Sequence, residues 1–389
     1  LESFKGPALN PTSAFGILGN LKKLRQIMTV TQIMQRALHL ARTQARYVSP
    51  NPRVGAVVVR GGKIVGEGAT QPFGGPHAEV MALRRAGARA KGATLVVTLE
   101  PCSHQGKTPP CVNAVIDAGI RRVIAATGDP NPKVGGRGFQ RLRAAGVQVQ
   151  VGPGALEAYE LNKPFFSFFE KERPWVTLKA AASMDGKIAG VAGKSRWITN
   201  SVSREKGHFL RSQADAILVG VETLLQDDPS LTVRLPGWKR KDGWPLRVVL
   251  DSRLRAPLRS KILQGPSVAM FFTSTNASPR KQKALEACGA RVFRVPSRGK
   301  LLSLKAVLNV LKDLEVRSLL VEGGGEVHAS FVEEKMADEV YLFLAPKIIG
   351  GQAASWVKGK GVSDPDLAPR LRWTKVEALD GDLCIHGLF

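Results

Sequence analysis

One constellation restricts this chain more than any other feature: His77-Ala78-Glu79, then Pro101-Cys102, then Cys111. One imidazole and two thiolates can hold a zinc ion and leave its fourth tetrahedral position open, as a catalytic zinc requires. An ion so held brings the pKa of water toward neutrality. Glu79 is then a proton carrier, base toward the water and acid toward a leaving amine, and not a ligand. His77 and Glu79 are two residues apart, which is not a same-face helical spacing. They converge only if His77 stands at a helix entry. Cys102 directly follows an apolar run, and Pro109-Pro110 opens a helix at Cys111. A helix start there favours a thiolate. The fold must therefore bring three element ends to one point, as open α/β sheets do at their ligand sites.

The surrounding pattern supplies such elements. An amphipathic helix follows Met28, with Ile33, Met34, Ala37, Leu38, Ala41 and Ala45 on one side. Strands read at Val54–Arg60 and Ile64–Gly68 around a Gly61-Gly62 hairpin turn. A helix runs from His77 to about Gly87, a strand over Thr94–Leu99, a helix over Cys111–Gly119 and a strand over Val123–Ala126. This alternation predicts an α/β fold with helices on both faces of a sheet. Phe165–Pro174 reads as a junction. Strands then recur at Trp175–Ala180, Ala216–Gly220, Arg247–Asp251, Val268–Phe272, Ser318–Glu322 and Val340–Leu344, giving a second α/β domain. The expected division is a leader or tag over residues 1–27, a deaminase domain over 28–172 and a second domain over 173–389. Met28 is the expected natural start. The stretch before it is expected to be flexible and to be a tag or an earlier start, with a transit peptide as the weaker alternative.

Composition excludes several classes. Four cysteines in 389 residues make no disulfide framework, and only Cys102 and Cys111 lie close together. A close pair in a reducing cytoplasm points to a metal or redox site. No apolar run approaches the ~18 residues of a membrane helix. The net charge of +25 suits nucleic acid, a membrane surface or small phosphorylated substrates. It also suits a merely solvated basic surface, because the charges are spread along the chain.

The loop Ser103–Pro110 lies between two candidate ligands and must border the metal. His104 and Lys107 are placed there to hold an anionic substrate; the alternative is an ordinary solvated loop. The spacing departs from the P-C-x-x-C of nucleobase deaminases, since eight residues separate Cys102 from Cys111. In the second half no G-x-G-x-x-G follows a strand, so a Rossmann dinucleotide site is unsupported. Gly323-Gly324-Gly325 does follow a strand and opens a helix, where backbone N–H groups can hold a pyrophosphate. Alone, a glycine triplet is more often a tight turn.

The segments NPRVGAVVV (51–59), GGPHAEVMAL (74–83), LEPCSHQGKTPPC (99–111) and DPNPKVGGRG (129–138) resemble the bifunctional deaminase-reductase of riboflavin biosynthesis. So do LKAAASMDGKIA (178–189), SRWIT (195–199), LVGVETLLQDDPSLTVR (218–234), VVLDS (248–252), LLVEGGGE (319–326) and APKIIGG (345–351). The resemblance covers about Met28 to the C-terminus. It implies a cytidine-deaminase-like α/β/α sandwich followed by a dihydrofolate-reductase-like α/β domain. It also implies zinc and NADPH as cofactors, a small phosphorylated pyrimidine as substrate, a cytoplasmic homo-oligomer (dimer or tetramer), and no nucleic-acid or membrane partner.

By the same resemblance His77, Cys102 and Cys111 bind zinc, Glu79 carries the proton, and Asn51, His104 and Lys107 contact substrate. On the reductase side Ala181, Trp197, Thr223, Asp227, Ser252 and Gly324, Gly325, Glu326, Val327, His328, Ala329 and Ser330 fall toward the cofactor. Ser195, Arg211, Leu231, Arg234 and Glu322 fall toward the substrate. Arg211 and Arg234 make sense as phosphate clamps, although surface arginines are common in so basic a chain. Lys179 and Asp227 are candidates to assist hydride transfer to an opened sugar imine; Asp227 could equally cap a turn before Pro229. Trp197 reads as a pocket wall. One departure stands out: many relatives carry His where this chain has Thr70.

Two other readings compete. An RNA-editing deaminase would explain the charge but not the eight-residue loop or the glycine triplet. A structural zinc protein would close its site with a fourth ligand and need no adjacent carboxylate.

Overall fold

The computed structural model describes residues 28–43, 48–238 and 244–389. The expected leader over 1–27, and Ala45 of the first helix, lie outside the described residues. The chain forms two compact units. The first comprises the described residues of 1–44, with 54–70 and 76–158; the second those of 45–53, with 71–75 and 159–389. No described helix is long and apolar enough to cross a membrane.

In the first unit the order is α1 (Val30–Thr43), β1 (Gly55–Arg60), β2 (Lys63–Ala69), α2 (Ala78–Ala86), β3 (Thr94–Val97), α3 (Cys111–Asp117), β4 (Arg122–Ala125), α4 (Arg137–Ala144) and β5 (Gln148–Val151). The strands form one sheet in the order β2-β1-β3-β4-β5. β1 is antiparallel to β2 and β3, whereas β3, β4 and β5 run parallel. The hairpin is covered on both faces. A Cβ on Gly55 would lie 1.9 Å from the Ala37 carbonyl of α1, and one on Gly68, opposite Ala56, would lie 2.4 Å from the Ala78 carbonyl of α2. Adjacent strand residues point to opposite faces, so α1 and α2 are on opposite sides. Glycine lets each helix come this close. α4 and β5 were not expected from the sequence; α4 is a short helix with only Phe139 and Leu142 as large apolar residues among its arginines, and β5 is an exposed edge strand.

Helix α5 (Ala155–Leu161) spans the division between the units, and α6 (Lys163–Glu170) clusters with the second. There follow β6 (Trp175–Ser183), α7 (Ser201–Gln213), β7 (Ala216–Gly220), α8 (Val221–Asp227), β8 (Leu246–Leu250), β9 (Ala269–Ser274), α9 (Pro279–Ala287) and β10 (Arg291–Val295). A short hairpin, β11 (Ser297–Arg298) and β12 (Leu301–Leu302), precedes α10 (Leu304–Asp313), β13 (Ser318–Val321), α11 (Gly325–Glu333), β14 (Glu339–Ala345), β15 (Arg372–Leu379) and β16 (Asp382–Leu388). The large sheet has the order β10-β9-β8-β7-β13-β6-β14-β16-β15. It is parallel from β10 to β14, and β16 and β15 add antiparallel pairs at one edge.

This sheet is buried on both sides. Ala216, Leu218, Val248, Met270, Phe272, Leu319 and Val321 belong to one core cluster, and the alternating Ile217, Val219, Val249, Phe271 and Leu320 to another. Two covered faces explain why its strands read as unbroken apolar runs. β15 is exposed at nearly every position, so no hydrophobic alternation announced it.

Candidate active sites

His77 is the N-cap of α2 and is not helical itself (φ −75°, ψ 165°). Glu79 sits in the first turn of the same helix and is 4% exposed. Cys111 is the first residue of α3 and is fully buried. The potential ligand atoms of His77, Cys102 and Cys111 lie within 4.8 Å of one another. His77 Nδ1 is 3.5 Å from Cys102 Sγ and 3.2 Å from Cys111 Sγ. A tetrahedral zinc spaces a bound nitrogen and sulfur by about 3.6 Å, so one Nδ1 facing two sulfurs fits this ion. The other ring nitrogen, Nε2, lies 3.5 Å from Thr108 Oγ1 and so has an outer partner in the intervening loop.

The helix start serves the neighbouring sulfur. The Cys111 backbone N–H donates to Cys102 Sγ at 3.3 Å. The Cys111 thiol, then His77 and this N–H, hold Cys102 down to about 4 against the upward push of burial. Cys111 is pushed up, because it shares its proton with that thiolate and is buried. Burial pushes Glu79 up to about 7, against the pull of the His77 charge. A carboxyl near neutrality can accept and return a proton with little penalty either way.

Two acids that were not singled out in the sequence reading shape the rim. Glu100 is buried, and its carboxylate accepts the N–H groups of Asp129 (3.2 Å), Gly136 (3.0 Å) and Phe139 (3.2 Å). It thereby pins the DPNPKVGGRG segment next to the loop that follows β3 and carries Cys102. Asp129 is pushed up to about 7 by burial, with the charges of Glu100, Cys102 and Glu79 adding to the shift. Their signal lay in the motifs LEPC and DPNP, which do not by themselves say which acid faces what.

The intervening loop is anchored by Arg141, which donates to the Ser103 carbonyl at 2.9 Å and to Asn113 Oδ1 at 2.7 Å. His104 Nδ1 is buried with no hydrogen-bond partner in the protein. Lys107 is exposed. Thr70 is buried, and its hydroxyl accepts the Val54 N–H at 3.2 Å. Asn51 clusters with the second unit.

In the second unit the glycine turn joins β13 to α11. A Cβ on Gly323 would lie 2.5 Å from Val219 Cα, Gly324 has φ +59°, and a Cβ on Gly325 would lie 2.3 Å from the Ser355 carbonyl. Each glycine thus has its own steric cause. The first α-helical bond runs from His328 N to Gly324 O, so the N–H groups of Gly325, Glu326 and Val327 precede it. These are the groups a helix start offers a phosphate, and they fit a dinucleotide's phosphates. His328 is different: its ring is buried, with Nδ1 2.9 Å from the Trp356 carbonyl and Nε2 3.3 Å from that of Val321. Ala329 is buried, and Ser330 Oγ donates back to the Glu326 carbonyl. Cofactor contact through the His328 and Ala329 side chains is at odds with their burial, whereas Ser330 is half-buried.

Thr223 faces the turn, with its Oγ1 3.4 Å from where a Gly324 Cβ would stand. Asp227, one turn later, accepts the Ser195 hydroxyl at 2.6 Å, and its carbonyl accepts Arg196 Nη2 at 2.7 Å. Trp197 is 61% exposed, with Arg204 4.5 Å from its ring centre. Ala181 lies in β6 opposite Phe343, and Ser252, just beyond β8, accepts the Ser274 N–H on its carbonyl.

The charged cluster departs from simple phosphate clamps. Arg211 makes a bidentate pair with Glu322, at 2.6 and 2.7 Å, and its Nη1 donates to the Thr232 carbonyl. Arg211 holds buried Glu322 down to about 2, against the upward push of burial. Lys179 lies in the same field, its pKa lowered by burial and raised by Glu322. His208 is pushed down to about 4 by burial and by Arg211, and its Nδ1 accepts the Arg234 N–H at 3.2 Å. Lys179, Arg211 and Arg234 thus face one carboxylate and a neutral imidazole, a surplus of positive charge that suits a phosphate. Leu231 has φ +49° and a side chain buried in the core with Ile217 and Val249. Only its backbone is available to a ligand.

Fold and sites together define a zinc-dependent deaminase joined to an NADPH-using reductase. The family description "Cytidine and deoxycytidylate deaminase zinc-binding region" matches residues 28–127, and "RibD C-terminal domain" matches 174–385. The chain is 45% identical to riboflavin biosynthesis protein RibD of Aquifex aeolicus over 355 residues, covering 90% of this chain and 96% of that protein. Against the Escherichia coli protein of the same name it is 38% identical, covering 91% and 97%. Among solved structures, Acinetobacter baumannii RibD superposes with a TM-score of 0.85 at 34% identity, covering 92% of this chain and 98% of that one. A diaminohydroxyphosphoribosylaminopyrimidine deaminase/5-amino-6-(5-phosphoribosylamino)uracil reductase from Thermotoga maritima gives 0.79 at 36% identity, with the same coverage. The chain belongs to the RibD family, the bifunctional deaminase-reductases of riboflavin biosynthesis.

Proposed function

We propose that the chain carries out two consecutive steps on one small phosphorylated pyrimidine. The first is hydrolytic removal of the 2-amino group of 2,5-diamino-6-(5-phosphoribosylamino)pyrimidin-4-one, consuming water and releasing ammonia. The second is NADPH-dependent reduction of the ribosyl side chain to give 5-amino-6-(5-phosphoribitylamino)uracil. The observation that carries the first step is His77 Nδ1 facing two cysteine sulfurs, with the buried carboxyl of Glu79 on the same helix turn. The substrate assignment rests on the relatives and on the cation surplus around Glu322.

His77, Cys102 and Cys111 hold zinc, which when bound supplies the Lewis acidity that activates water near neutral pH. Glu79 takes the water's proton and returns it to the departing amine. His104 and Lys107 receive the substrate, and the unpartnered His104 Nδ1 supports that role. Asn51 is assigned to the same substrate by motif alone. NADPH supplies hydride when bound. The N–H groups of Gly325, Glu326 and Val327 receive its phosphates, and Thr223, Asp227, Trp197, Ala181 and Ser252 position it. Arg234 and the Arg211–Glu322 pair, with Ser195, orient the phosphorylated sugar, and Lys179 assists the reduction. Deamination is assigned to 28–172 and reduction to 173–389, a division supported by the two family matches. A cytoplasmic homo-oligomer, dimer or tetramer, completes the reading.

A coupled assay tests it: ammonia release and NADPH oxidation are followed separately on the diamino substrate. Ammonia followed by NADPH consumption is the expected order; ammonia without NADPH oxidation would remove the reductase assignment. Two substitutions separate the halves. Cys111→Ser should weaken zinc binding by at least about 100-fold, beyond what outer-shell changes cost, and destabilise the first unit. Unchanged zinc stoichiometry after dialysis against a weak chelator would contradict it. Asp227→Asn weakens the acceptor of the Ser195 hydroxyl and should slow reduction roughly tenfold while leaving deamination intact. Equal loss of both activities would argue against separate sites.

A further inference from the structure

Arg247, at the start of β8, lies at the N-terminal edge of the parallel sheet, away from the glycine turn that follows the C-terminal end of β13. It is 1% exposed. Its Nε donates to Ser267 Oγ at 3.1 Å and its Nη2 to the Ser267 carbonyl, but its buried Nη1 has no partner. Among the described residues no carboxylate pairs with it, and burial pulls its pKa down. Proteins rarely leave a buried charge unpaired.

Gly265 packs against the same guanidinium. Its backbone is extended (φ −87°, ψ 178°), a conformation any residue adopts. Yet a Cβ there would stand 1.9 Å from Arg247 Nη1 and 2.5 Å from Cζ. The glycine therefore makes room for the guanidinium and is not needed for the turn. Arg247, Gly265, Ser267, Cys288 and Gly289 line a cavity of 310 Å³.

We propose that this cavity is an oxyanion site, separate from both active sites, that takes a phosphoryl group on the Arg247 guanidinium. A planar guanidinium with a spare N–H is matched to phosphate oxygens, and an anion supplies the counter-charge that the described residues do not. The phosphoryl group comes either from free orthophosphate or from a phosphorylated organic ligand such as a nucleoside monophosphate.

Cys288 provides the readout, since its thiol is exposed and lines the cavity. The full-length zinc-loaded protein is alkylated with iodoacetamide, and modification of Cys288 is followed by peptide mass spectrometry. Orthophosphate or adenosine monophosphate is added, with chloride at equal ionic strength as control. The expected result is severalfold slower alkylation of Cys288, abolished in Arg247→Met and in Gly265→Ala. Gly265→Ala carries the comparison if Arg247→Met does not fold. Protection by orthophosphate as strong as by the nucleotide identifies the free anion; protection by the nucleotide alone identifies a larger phosphorylated ligand. No protection by either, or equal protection in the variants, overturns the proposal.

Discussion

Glu79→Gln should keep its zinc and lose deamination by about 10²–10⁴-fold, the usual worth of a positioned acid-base group. The substitution is nearly isosteric, and Glu79 is not among the three grouped ligand atoms, so metal content should match the parent. A glutamine can still accept a hydrogen bond but cannot take up and return a proton. The loss should therefore appear in kcat for ammonia release, with KM little changed and reduction of the pre-deaminated substrate untouched. Zinc analysis beside single-turnover ammonia measurement decides the matter. Surviving turnover would move the proton-carrying role elsewhere, with Asp129 the next group to test; lost zinc would make Glu79 a structural support of the metal centre.

Glu322→Gln should destabilise the reductase unit by about 3–5 kcal/mol, because it leaves the Arg211 guanidinium buried without its counter-charge. Both side chains are shielded, at 8% and 14% exposure, so solvent screens the pair little. The pH dependence has a definite sign. Glu322 is depressed to about 2 in the fold, so its contribution is present above its unfolded pKa of about 4.3 and is lost as pH falls toward 2. His208 is also depressed, to about 4, and its neutral form is the one that accepts the Arg234 N–H. Its contribution is present above about 6.5 and is lost as pH falls toward 4. Urea midpoints of the second unit should therefore decline in two stages on acidification. The variant should keep the upper stage and show a smaller lower one, because Glu339, Glu377 and Asp185 of the same unit are also held down and still titrate there. A destabilisation below about 1 kcal/mol would mean that the pair behaves like a surface salt bridge.

The candidate zinc centre was legible because its chemistry is written in residue type. Few combinations other than a metal site explain a histidine two residues before a glutamate, followed by one cysteine after a strand and another at a helix start. The central strands of the large sheet, β6 to β9, β13 and β14, were legible because burial on both faces leaves unbroken apolar runs. The edge strands β10, β15 and β16 were not, β10 being partly and β15 largely exposed, nor was α4, whose apolar face is only Phe139 and Leu142 among arginines. The helix-start reading of Cys111 was right in place but incomplete in effect: its N–H stabilises the sulfur of Cys102.

What the sequence by itself determined is the set of reactive groups and the turns that must be glycine, properties local to a few residues. Tertiary structure alone decided who meets whom. Arg211 and Glu322 are 111 positions apart and neutralise each other as a pair, where the sequence suggested two separate substrate contacts. Leu231 and His328 stand in substrate and cofactor motifs but turn their side chains into the interior. Arg247 reads as an ordinary strand residue until packing leaves its guanidinium buried with an unpaired nitrogen. Periodicity reports which face of an element is apolar; the pairing of charges across a sheet depends on distances set only when distant strands come into register.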